Sequence, residues 1–196
     1  MGWPYMVLLP VFAGEVLHGG AHTLGWLMAA SGVGALASGL SLALRRSVVG
    51  LTRMVRLAAV LLGVSLILFG LSHQFWSSFL LMLGAGFGLM QCASASNTII
   101  QALVPDAMRA RVMSYYTMAF FGAAPIGSLF AGALADRIGA PLTIIVTGIF
   151  CLVGALWFTI ELPNMREIMR PIYLELGLLP NRRSDNEAHH AAHDAR

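Results

Sequence analysis

Residues 1–14, 16–44, 57–105, 112–135 and 138–160 contain no Asp, Glu, Lys or Arg. An ionised side chain in the hydrocarbon core of a bilayer costs several kcal/mol, so charge-free stretches mark where a chain can cross. A helical crossing of ~30 Å takes about 20 apolar residues. The stretch 57–105 is long enough for two helices, and the polar Ser72-His73-Gln74 divides it. The pattern predicts an all-α polytopic membrane helix bundle with six transmembrane helices, near 3–18, 23–44, 56–72, 76–101, 113–135 and 140–160.

Composition agrees with the pattern. The chain is 58% hydrophobic and 11% charged, with mean hydropathy +0.76, whereas soluble domains carry about a quarter charged residues. All 12 basic residues are Arg, and their placement orients the bundle. Arg45, Arg46, Arg53 and Arg56 separate helices two and three, Arg109 and Arg111 separate four and five, and Arg166, Arg170, Arg182, Arg183 and Arg196 occupy the tail. These segments share one side of a six-helix weave, leaving Arg137 alone on the other. The positive-inside rule makes that side cytoplasmic, with both termini on it, and the pI of about 9.3 then reports topology and attraction to lipid headgroups. Dispersed among loops, the arginines form no nucleic-acid patch.

Cys92 and Cys151 fall inside helices, so no disulfide framework is implied. The charge-free first 14 residues lack the positive lead-in of a signal peptide. Helix one starts at the first residue and carries Pro4 and Pro10 within barely the minimum length. Truncation from a longer protein is the expectation, against the alternative of a short genuine first helix. After Glu161 the mixed residues 163–180 predict a cytoplasmic interfacial segment interrupted by Pro171, and 181–196 a disordered polar tail. His189, His190 and His193 in that tail have helical spacing but no scaffold for a metal.

A transporter needs polar groups at mid-membrane depth, and helix four offers them. At 100° per residue, Gln91, Ser94, Thr98 and Gln101 fall within an arc of about 80°, making one polar stripe that Gly84 and Gly88 continue. Two readings stay open: a substrate path, or interhelical hydrogen bonding of the kind Ser, Thr, Asn and Gln commonly supply in lipid. Asn97 lies off the stripe and reads as structural. The glycines of helices two, four and five permit close helix approach. Glu15, Asp136 and Glu161 all sit near helix ends, so if transport is proton-driven the coupling acid is expected in a missing partner half, with Glu15 a distant second choice. No paired carboxylates, no Ser/His/Asp or Cys/His set and no lysine for a phosphate loop are present; enzymatic readings therefore have no residues behind them, and no cofactor or metal is expected.

Two stretches carry a family resemblance. Val104-Pro105-Asp106-Ala107-Met108-Arg109-Ala110-Arg111-Val112-Met113-Ser114 resembles the cytoplasmic loop between helices ten and eleven of bacterial major facilitator exporters of the drug and siderophore type, such as enterobactin-exporter-like and macrolide-efflux-like proteins. Residues Gly122 to Gly132 resemble their eleventh helix, with Ala110 and Ala124 standing where those proteins carry Gly. The resemblance covers roughly residues 1–162 and implies the carboxy-terminal half of such a transporter, its helices one and four lining the path. Asp106, Arg109 and Arg111 then mark a cytoplasmic loop, and Pro125 with Gly127 a helix bend or packing point. The loop SLALRRSVVGLTRMVR stands where the family repeats its gating motif but lacks the acidic residue.

The expectation is a secondary-active exporter of a small amphipathic organic solute, present as a half, in a bacterial inner membrane. Its implied partners are membrane lipid, a small-molecule substrate and a second six-helix half. The alternative is a non-transporting membrane fragment or interaction scaffold.

Overall fold

The structure, a computed structural model, describes residues 4–17, 19–45 and 50–175, with the backbone alone beyond Glu161. Six helices follow in order, α1 Tyr5–Glu15, α2 Ala21–Ala43, α3 Leu51–Leu71, α4 Phe75–Leu103, α5 Asp106–Ile138 and α6 Ala140–Glu175, and no strand occurs among the described residues. The chain is a polytopic membrane helix bundle. Five helices are long and apolar enough to cross a membrane, the last over Ala140–Glu161. Helix α1 has 11 residues, about 16 Å of rise, half of the hydrocarbon thickness.

Helix ends follow local chemistry. Gly50 has φ +91°, a left-handed conformation that glycine reaches without a steric penalty, and α3 starts at the next residue. Pro105 precedes α5, whose first turn holds Asp106 and whose last turn holds Arg137, each complementing the helix dipole. Gly139, at φ +84°, reverses the chain into α6.

Three of these bounds differ from expectation for one reason. Helix α3 begins at Leu51 and takes in Arg53 and Arg56, where a start near 56 is expected. Helix α5 begins at Asp106, so most of the loop expected over 104–114 is its first two turns. Helix α6 continues as backbone through Pro163 and Pro171 to Glu175. Charge marks the edge of the hydrocarbon, and a helix can run beyond it into the headgroup region. Arg46, the segment 176–196 with its polar tail, and the tail histidines lie outside the described residues.

The first compact unit runs through Trp157. Helix α4 is packed between α2 and α3 at backbone distance. A methyl group at Gly34 or Gly86 would overlap the Leu83 or Ser31 carbonyl oxygen across the α2/α4 seam, and one at Gly88 would sit 2.8 Å from the Ala58 carbonyl oxygen of α3. Helices α3 and α6 meet the same way: a methyl at Gly63 or Gly148 would lie within 2.9 Å of the other's carbonyl oxygen. Helix α1 closes one end of the core, with Tyr5, Leu8, Leu9 and Phe12 buried against Leu27, Phe69 and Met82. The Phe12 and Phe69 ring centroids are 4.3 Å apart. In the second unit, from Phe158 onward, the described structure is the remainder of α6.

Candidate functional site

Helix α5 is nearly unburied within the chain, Ala131 being its one fully buried described residue. It stands off α4 far enough to leave a cavity of about 420 Å³ between α1, α2, α4 and α5, within the usual range for small-molecule sites. Ser31 and Ala35 of α2, Leu89, Met90, Ala93, Ser94 and Asn97 of α4, and Tyr116, Thr117, Phe120 and Phe121 of α5 line it, with Met6 of α1.

The predicted stripe divides on this cavity. Ser94 lines it. Gln91 is 1% exposed and turns to α2, where its Oε1 accepts hydrogen bonds from Ser38 Oγ at 2.8 Å and Ser41 Oγ at 3.0 Å. Its Nε2 has no hydrogen-bond partner among the described residues, and turning the amide over would orphan the oxygen instead. Thr98 donates to the Ser94 carbonyl one turn back, at 2.9 Å. Gln101, exposed near the end of α4, donates from Nε2 to Asn97 Oδ1 at 2.6 Å.

That last bond shapes the cavity's chemistry. With Oδ1 occupied, Asn97 keeps its Nδ2 donors for the cavity it lines. Asn97 sits off the stripe by helical angle, yet the cavity opens toward α5, a direction that an α4 polar arc cannot reveal. The aromatic wall is the other part missing from the stripe. Tyr116 and Phe120 stack at 5.9 Å between ring centroids, Phe121 stands edge-on to Phe120 at 5.5 Å, and Tyr116 OH donates to the Ala93 carbonyl at 3.3 Å. Its sequence signal was the pair Tyr116 and Phe120 at helical spacing (i, i+4). The wall gives offset and edge-on ring faces; Ser94, Asn97 and Tyr116 give directional polar groups. The cavity lining contains no Asp, Glu, Lys, Arg or His.

The remaining predicted positions lie elsewhere. Pro125 is exposed and α5 continues through it. A methyl at Gly127 would come 3.0 Å from Pro4 Cγ, so this glycine is a packing point for the start of α1. Arg109 pairs with Asp106 at 2.7 Å, an exposed bridge within the first turn of α5, and Arg111 is exposed on the next turn. Glu15 ends α1 at the surface. Among the described residues no group of three His, Cys, Asp or Glu is placed to hold a metal ion.

The sequence profile of a major facilitator family described as transmembrane secretion effector matches residues 3–173. The chain is also similar to the multidrug efflux pump Tap of Mycolicibacterium fortuitum, at 26% identity over 146 residues. That alignment covers 74% of this chain and 35% of the pump, so the chain spans about a third of the relative it matches. No solved structure matches.

Proposed function

The chain belongs to the transmembrane secretion effector family of major facilitator proteins, and from that premise we propose that it is one half of a secondary-active exporter of a small amphipathic organic solute. The observation that carries the reading is the cavity beside α4, which combines a stacked aromatic wall with the unspent donors of Ser94 and Asn97. In this reading the solute lies against Tyr116 and Phe120 and is oriented by Ser94 and Asn97. Gln91 fixes α2 against α4 behind the cavity, and Thr98 and Gln101 lie further along the path toward the cytoplasm. Both termini lie in the cytoplasm of a bacterial inner-membrane protein, as the arginine distribution supports.

Alternating access takes two bundles moving about a shared site. Two faces of this chain have room for the second. On α2, Gly25, Gly32 and Gly39 recur every seven residues with nothing within 4 Å, and on α5 Gly122 and Gly132 are equally open. Small residues on a lipid-exposed face allow a further helix to approach closely. The relative that extends well beyond the aligned region supplies a place for such a half.

The test is export of a fluorescent amphipathic dye from cells carrying the assembled transporter. Asn97→Leu is expected to lower the export rate about ten-fold, the equivalent of one hydrogen bond of ~1.4 kcal/mol, with the amount of inserted protein unchanged. Export at the wild-type rate in Asn97→Leu and Ser94→Ala alike removes the site assignment. The scaffold reading predicts no dye export by the wild-type assembly in the first place.

A further inference from the structure

Arg137 stands apart in the arginine distribution, the one basic side chain placed on the side opposite all the others. It lies in the last turn of α5, exposed, and forms no ion pair or hydrogen bond among the described residues. Dipole complementation at a helix C-terminus is one role for it. Its position on the helix gives another.

A second cavity, about 490 Å³, runs along α5 between α6 and the start of α1. Its lining is Ile126, Phe130 and Leu134 of α5 and Val146, Thr147 and Phe150 of α6, with smaller residues between and Pro4 beside Gly127. The two threonines in its wall donate to backbone carbonyls, Thr143 to Gly139 just before α6 at 2.8 Å and Thr147 to Thr143 at 2.9 Å. The groove surface is therefore predominantly hydrocarbon. At 100° per residue, Ile126, Phe130, Leu134 and Arg137 fall within about 80° of arc, so Arg137 continues the groove face about one turn past Leu134. Asp136, the adjacent acid, is about 100° away round the helix and has no contact with Arg137. Just beyond, Gly139 turns the chain so that the first amide groups of α6, Ala140 and Leu142, begin beside the end of α5. A helix N-terminus favours an anion, although Pro141 contributes no donor.

We propose that the α5/α6 groove seats an acyl chain of an anionic membrane phospholipid whose phosphate Arg137 holds. An apolar trough with a free cation one turn past its end matches such a molecule in both parts. The same charge favours this occupant over others: a partner helix packed along the trough would have to bring its own acid to match the guanidinium, and a free phosphate would make no use of the hydrocarbon wall. The face is distinct from the one left for a second bundle. Gly122, Leu129 and Gly132 lie on the other side of Arg137 around the helix, outside the arc of the groove. Arg137 thus has a use on the side where the positive-inside rule disfavours it, and the inference stands independently of what the protein exports.

The experiment purifies the full chain in mild detergent from bacterial membranes and quantifies retained phosphatidylglycerol. It also compares thermal unfolding in nanodiscs of phosphatidylglycerol and of phosphatidylcholine. Retained phosphatidylglycerol near one molecule per chain and a higher unfolding temperature in that lipid are expected. Arg137→Gln is expected to reduce retention about ten-fold and to abolish the difference between the two lipids. Ala123→Trp, which fills the groove and leaves the charge, should do the same, and Arg111→Gln should not. Because Arg137 is exposed, its variant tests the proposal even if the tryptophan variant fails to fold. Wild-type retention in Arg137→Gln, equal stabilisation by both lipids (an adventitious lipid only), or stabilisation by inorganic phosphate alone overturns it.

Discussion

Helix α4 carries Gly84, Gly86 and Gly88, and helix α5 carries Gly122, Gly127 and Gly132. In α4 all three lie at close approach to another helix: Ser65 Oγ at Gly84, the Ser31 carbonyl at Gly86 and the Ala58 carbonyl at Gly88. In α5 one glycine touches Pro4 and the other two face open space. Lipid tails are as apolar as leucine, so helix association in a bilayer depends on close packing and on interhelical hydrogen bonds. By that measure α4 has already spent its small residues inside this chain. Helix α5 still holds its own, together with Met118 and Leu129, exposed on the same side of the helix. Helix α4 is the keel of the bundle, α5 is the helix with open faces that the proposed second bundle would use, and the cavity lies where the two part.

Replacing a glycine by leucine probes this difference most strongly. Gly86→Leu drives a side chain into the Ser31 backbone, which cannot yield as a flexible side chain would, and overpacking of that kind costs about 3 kcal/mol or more. The purified variant should unfold many degrees below wild type, or fail to accumulate in the membrane. Gly132→Leu, with nothing within 4 Å, should leave the thermal unfolding of the chain within experimental error. Its cost should appear only in co-purification with a second bundle. Equal damage from the two variants in the isolated chain breaks the contrast between keel and mating surface.

The polar knot behind the cavity gives the next largest effect. Gln91 is buried with two serine hydroxyls on its oxygen and an unmatched nitrogen. Gln91→Glu places a carboxylic acid there and must either bury a charge or hold a proton, so a loss of several kcal/mol is expected. Gln91→Leu removes two hydrogen bonds of ~1 kcal/mol each and an orphaned donor that costs ~1–3 kcal/mol, and the released Ser38 and Ser41 hydroxyls can turn to carbonyls of their own helix, as Ser41 already does to Ser38. The terms nearly cancel, and the unfolding midpoint should move little. A large loss from the leucine variant instead would mean that the amide nitrogen has a partner in the folded protein.

The sequence made the bundle legible and its interior only partly so. Each of the five long apolar helices among the described residues overlaps a charge-free stretch, because the energy of a buried charge is large and acts on each residue by itself. Charge placement does not mark where α3 and α5 begin as helices, since Arg53, Arg56, Asp106 and Arg109 are themselves helical. The stripe on α4 was visible as an arc, but an arc carries no information about which neighbour it meets. Gln91 meets α2 and Ser94 meets the cavity, though they are three residues apart. Asn97 and the aromatic wall depend on where α5 stands, a property of packing between helices and not of either helix alone.

The smallest effect concerns the joint between the two helices. Tyr116 OH crosses from α5 to the Ala93 carbonyl of α4 at 3.3 Å, a long bond to a carbonyl that also serves its own helix. Tyr116→Phe removes that bond and keeps the ring stacked on Phe120, so global stability should fall by ~1 kcal/mol or less. The change should be local. Amide hydrogen exchange along α5 should quicken around residues 112–120 while α4, held by α2 and α3 through its glycines, keeps its protection. Uniform acceleration in both helices would mean that they open as one unit. The cavity between them would then be a fixed feature of the bundle and not a seam at which α5 can move.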